Sequence, residues 1–120
     1  MTSAKRALPL LVLSLLLALT ACAGTAAARR DVTMTSCGKS SVNHPAAGGQ
    51  ITNHSSKDSL YTIHVTFQDA AGNNIANGYA VVHKVAPGAS AIWRAAGPEA
   101  ATGGVRCVLS SVARNATPQL

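Results

Sequence analysis

The chain predicts an all-β fold, an antiparallel two-sheet sandwich of six or seven strands, and three observations predict it. Tyr61, Ile63, Val65 and Phe67 fall at every second position of Leu60 to Gln68, with Thr62, His64, Thr66 and Gln68 between them. That is the period of a half-buried strand, and its residue types are β-branched and aromatic. Gly, Pro, Asn and Asp clusters then punctuate the chain at short intervals, as turns between short strands do. Two cysteines, Cys37 and Cys107, stand near the first and last strands.

Asp31 to Cys37 alternates well enough for a first strand, and Gly38 to Pro45 breaks it. Ala46 to Asn53 is a weaker strand with Ile51 its only large apolar residue, and Asn53 to Asp58 is a polar loop. The central strand ends at Gln68, and Asp69-Ala70-Ala71-Gly72-Asn73 has the composition of a hairpin turn. The return strand, Asn74 to Val85, offers two faces, and register chooses between them. If Phe67 faces Ala76, then Val65 faces Gly78, Ile63 faces Ala80, Tyr61 faces Val82 and His64 faces Tyr79. Large residues sit beside small ones, and Asn77 stays out of the core. The other parity buries Asn77 without a partner, at about 1–3 kcal/mol. Gln68 then meets Ile75, and His83 meets Leu60. Ala86-Pro87-Gly88 turns the chain into a strand over Ala89 to Ala95, with Ala91, Trp93 and Ala95 on one face. Ala96 to Gly104 is a loop of small residues expected to be mobile. Val105 to Arg114 is the last strand, and residues 115–120 are a frayed tail.

The amino terminus carries a different signal. Lys5 and Arg6 precede an apolar run from Ala7 to Leu19, with small residues after it. A basic segment, an apolar segment and small residues make an export signal, and the run is shorter than the roughly 20 residues that span a bilayer. The tetrad Leu19-Thr20-Ala21-Cys22 resembles the lipobox of bacterial lipoproteins. That resemblance implies a diacylglyceryl group on the Cys22 thiol, cleavage before Cys22 and usually a further acyl group on the new amino terminus. Several acyl chains make a stable membrane anchor, at about 0.8 kcal/mol per buried CH₂. The resulting organisation is a signal peptide over 1–21, a tether over 22–30, a sandwich over 31–114 and a tail over 115–120. The expected location is the extracytoplasmic face of a cell membrane.

With Cys22 set aside, Cys37 and Cys107 form an even pair in an exported chain and read as one disulfide. It would close a loop of about 70 residues, worth roughly 4 kcal/mol in the chain-entropy model. Two free thiols binding metal would lack the close Cys/His spacing of a zinc site. Without Lys5 and Arg6, eight Lys/Arg stand against four Asp/Glu, a net of +4. These cations are scattered and not interleaved with stacking aromatics, so nucleic acid is not an expected partner. Arg29 and Arg30 read first as part of a solvated tether, and second as neighbours of anionic lipid headgroups.

The central hairpin and the strands after it look like an immunoglobulin-like domain. More narrowly, Val65 to Asn73, then Val85-Ala86-Pro87-Gly88 and a strand reaching Trp93, is similar to the FxLYD-type domains of secreted bacterial proteins. The resemblance spans Asp31 to Arg114 and implies a fold more than an activity.

No reaction centre is expected. The carboxylates Asp31, Asp58, Asp69 and Glu99 give no pair a reason to converge. No Gly-x-Ser-x-Gly elbow, His-Glu-x-x-His helix or phosphate-cradling glycine loop occurs. Neither a metal site nor a cofactor is expected. The favoured register separates His64 and His83 by about 13 Å, beyond one metal ion, and His44 and His54 lie in polar loops. The expected role is non-enzymatic binding of a protein or cell-envelope partner. The candidate surface is Leu60, Ile75, Tyr79, Val81 and His64, which the register turns outward on one face. A metal-binding or metal-delivery protein using surface histidines is the alternative.

Overall fold

The structure, a computed structural model, describes residues 26–117 and contains six strands. They are β1 (Val32–Lys39), β2 (Pro45–Thr52), β3 (Ser59–Gln68), β4 (Asn74–Val85), β5 (Ser90–Ala96) and β6 (Arg106–Ala116). The expected signal peptide and Cys22 lie outside the described residues. Two antiparallel three-stranded sheets, ordered β1-β2-β5 and β4-β3-β6, pack face to face. The order corresponds to A-B-E against C′-C-F in immunoglobulin lettering. Two details differ from antibody domains: the core tryptophan stands on β5, and the disulfide joins β1 to β6.

β3 organises the core because its two faces differ so sharply. Tyr61, Ile63, Val65 and Phe67 are fully buried, while Thr62, His64, Thr66 and Gln68 between them are half-exposed. Their partners on β4 are Val82, Ala80, Gly78 and Ala76, as the pairing of large with small predicts. Gly78 is required there, since a Cβ would lie 2.8 Å from the Phe67 ring and 3.0 Å from the Ala96 carbonyl oxygen. The missing side chain lets β5 of the other sheet close against β4. The predicted register fails only at its ends. Irregularities pair Gln68 with Asn74 and shift the chain between Ser59 and Tyr61, where Lys84 adopts a φ of 53°.

Trp93 and Ile51 complete the core from the opposite sheet. The Trp93 indole N–H donates to the Thr33 carbonyl at 3.0 Å, so the ring ties β5 to β1. Gly49 lies between them, paired with Trp93 on one side and Met34 on the other. Any side chain at Gly49 would run into the Thr33 backbone. On the open side of the sandwich, Cys37 and Cys107 form the expected disulfide, with Cα atoms 5.8 Å apart. It staples the edge strand of one sheet to the edge strand of the other.

Two segments differ from expectation. Residues 26–30, read as tether, form one helical turn with Ala28 buried. Arg29 fixes that turn by donating to the Leu109 carbonyl at 2.5 Å, on the unpaired edge of β6. The loop after β5, expected to be mobile, is pinned twice. Gly97 N–H donates to the Pro45 carbonyl and Ala101 N–H to that of Asn43, each at 2.8 Å.

The topology gives the sandwich two distinct ends. The near end holds the entry to β1, the 53–58 loop, the 86–89 turn and the exit from β6. The far end holds the 40–44 loop, the 69–73 turn and the 97–105 loop.

Candidate functional site

Three regions of the surface merit a chemical reading, one at each end and one on a sheet face. At the near end, Asp31 has a side chain only 1% exposed and gathers three partners. The Tyr61 hydroxyl donates to its Oδ2 at 2.5 Å and the Arg114 guanidinium to the same oxygen at 2.7 Å. His54 Nδ1–H donates to Oδ1 at 2.8 Å. Burial by itself would raise the Asp31 pKa, but these three hydrogen bonds and the Arg114 charge outweigh it and hold the carboxyl below its usual range. The same surroundings act oppositely on Tyr61. Burial, the bond to Asp31 and the carboxylate charge push its pKa up to about 12. Arg114 is pushed up by its bond to Asp31.

This cluster joins the 26–31 segment, the 53–58 loop, β3 and β6 around one carboxylate. Sequence reasoning missed it, because its members are separated by up to 83 residues. The one available signal was an acid immediately before the first strand. Its neighbour Asn53 works similarly. The buried amide donates to the Lys57 carbonyl at 2.8 Å and the Val85 carbonyl at 2.7 Å, and its oxygen accepts from Ser55 N–H at 2.9 Å. Both sets hold loops in place. The Asp31–His54 pair is also the geometry that orients an imidazole in acid–base chemistry, but no other described side chain of that chemistry bonds to His54.

The outer face of the β4-β3-β6 sheet carries the residues singled out as a partner surface. Ile75, Tyr79 and Val81 are 43%, 63% and 52% exposed, and Leu60 and His64 are half-buried beside them. His64 stacks flat on Tyr79, with ring centroids 4.6 Å apart and planes at 9°. Its Nε2 lies 2.9 Å from Asn77 Oδ1. Thr66 and Ser110 hydroxyls pair at 2.5 Å, and exposed Val108 stands beside them. The face is therefore an apolar column along β4 bordered by polar side chains, with Arg106 exposed beside Gln68 at its far end.

At the far end, an open cleft of about 880 Å³ lies between the 69–73 turn and the 97–104 loop. Pro45, Ala71, Ile75, Pro98 and Ala101 give it apolar walls, and Glu99 is among the residues that line it. Asp69 also lines it, but its carboxylate is engaged. It accepts from Ala71 N–H at 3.0 Å and Asn73 N–H at 2.9 Å, and the Asn73 contacts foremost lower its pKa. His44 Nδ1–H donates to the Gly97 carbonyl at 3.1 Å and helps fix the cleft's far wall.

The four histidines are thus dispersed: His44 at the far end, His54 at the near end, His64 at mid-sheet and His83 near the end of β4. Among the described residues, no three His, Cys, Asp or Glu side chains converge to hold a metal ion. No family model, no curated protein and no solved structure matches the chain.

Proposed function

We propose that this protein is a lipid-anchored, extracytoplasmic β-sandwich that binds a protein or cell-envelope partner and carries out no reaction of its own. One observation carries the reading. The chain enters the sandwich at the near end, while its exposed apolar column reaches, through Ile75, the cleft at the far end. An anchor at Cys22 would leave the cleft and the Ile75 end of that column far from the membrane. The disulfide supports an oxidising compartment. The resemblances to lipoproteins and to FxLYD-type domains agree with this reading and name no ligand.

The test has two parts. Protein extracted from membranes should have the mass of Cys22 to Leu120, plus its acyl groups, less two hydrogens for the disulfide. A photo-crosslinking side chain at Tyr79 or Ala101 should give a discrete adduct in intact envelopes, and one at Gln50 on the other sheet should not. A mass without acyl groups removes the anchor. Identical adduct patterns from all three positions remove the binding surface. The dispersal of the histidines weighs against the metal-delivery alternative, and calorimetric titration with copper and zinc separates the two.

A further inference from the structure

We infer that the near end of the sandwich docks on anionic phospholipid headgroups, so that the domain stands on the membrane with its far-end cleft outward. The inference rests on the anchor at Cys22 proposed above and adds an orientation and a lipid chemistry to it.

The first ground is length. The helical turn over 26–30 packs on the sandwich through Ala28 and Arg29, so three residues, 23–25, lie between Cys22 and the first described turn. Fully extended, the four steps from Cys22 to Ala26 reach about 14 Å. The five-residue helical turn adds about 8 Å at most. Together these confine the near end to within about 22 Å of the anchor, against about 30 Å for a nine-residue free tether, and the end can settle within the roughly 8–10 Å over which surface charge acts.

The second ground is charge. Arg30, Lys57 and Lys84 are exposed at the near end. Asp31, the deepest acid there, is already neutralised by Arg114, which leaves Asp58 as the other described acid at that end. At the far end, Lys39 and Arg106 balance Asp69 and Glu99. The cationic excess therefore lies at the end where the chain enters β1, the end nearest the proposed anchor in sequence. Each Lys or Arg close to an anionic surface strengthens docking about fivefold.

The acylated full chain, reconstituted in vesicles of one part phosphatidylglycerol to three parts phosphatidylcholine, tests this. A fluorescent side chain at Ser56 (near end) or at Thr102 (far end) is read against quencher-tagged headgroups. The Ser56 probe should be quenched strongly and the Thr102 probe weakly. The docked-to-free ratio should fall about fivefold for each of Arg30→Gln, Lys57→Gln and Lys84→Gln. It should collapse in pure phosphatidylcholine, which checks the charge dependence without any substitution. Equal quenching at the two positions, or a contrast that survives neutral lipid, overturns the docking and leaves the anchor standing. A mass without acyl groups overturns both.

Discussion

Tyr61 shows how one side chain can serve two environments. Its ring fills the core beside Ile63, and its hydroxyl completes the shell around Asp31. The two groups make opposite pH predictions. Asp31 has a folded pKa below its unfolded value, so its contribution is complete above the ordinary carboxylate range near 4 and is lost as the pH falls through the lowered value. Tyr61 has a folded pKa raised to about 12, so its contribution is complete below about 10 and is lost between about 10 and 12. A shift of about two units corresponds to roughly 2–3 kcal/mol, readable by denaturant unfolding across that window. Tyr61→Phe should abolish this alkaline loss and cost about 1–3 kcal/mol at neutral pH, where Asp31 is left short of a donor. If the variant kept the alkaline loss unchanged, the assignment to Tyr61 would be wrong. Asp31→Ala should be worse, because it strands Arg114 beside Tyr61; about 3–5 kcal/mol is expected.

Among the elements, the two glycine-dependent contacts are the sharpest constraints. A methyl group at Gly78 meets the Phe67 ring and the Ala96 backbone, and one at Gly49 meets the Thr33 backbone. Gly78→Ala and Gly49→Ala should each destabilise by about 1–3 kcal/mol or more, with Gly49 the more severe because only backbone can yield. Gly38 has open space around it, so Gly38→Ala should be neutral or stabilise by up to about 1 kcal/mol. Thermal melts of the three variants order them directly. Gly78 also explains why the hairpin was legible. Large residues on β3 with small ones on β4, and an Asn77 that needs solvent, admit only one register, and β3 pairs accordingly. The misfit at Gln68 and near Leu60 comes from irregularities at the strand ends, which the alternation of side chains does not encode. The outward placement of Ile75, Tyr79 and Val81 follows from the register and was equally legible. The Asp31 cluster was not, because polar residues carry no periodicity and these four meet only after both sheets have formed. The helical turn over 26–30 escaped for a related reason: five residues are too few to show a period, and packing of Ala28 and Arg29 holds them.

For the molecule as a whole, the disulfide is a large stabiliser of a small core. It spans 70 residues, and the chain-entropy model assigns it about 4 kcal/mol. Reduction, or Cys37→Ala with Cys107→Ala, should lower the melting temperature by roughly 15–30 °C in calorimetry. A drop of only a few degrees would mean that the unfolded chain is already compact. The bridge also decides how the domain responds to tension. Suppose a load runs from the amino-terminal lead to a ligand gripped at the opposite pole. The force first meets the 26–31 segment, held on the sandwich by Ala28, Arg29 and Asp31, and once that yields it peels β1 from its start. The peeling halts at Cys37, because the bridge passes the force directly into β6. The stretch between the two sulfurs is a closed loop and cannot lengthen. Under traction from that side the protein can surrender a few residues of β1 and then goes taut, like a strap with a stitched end.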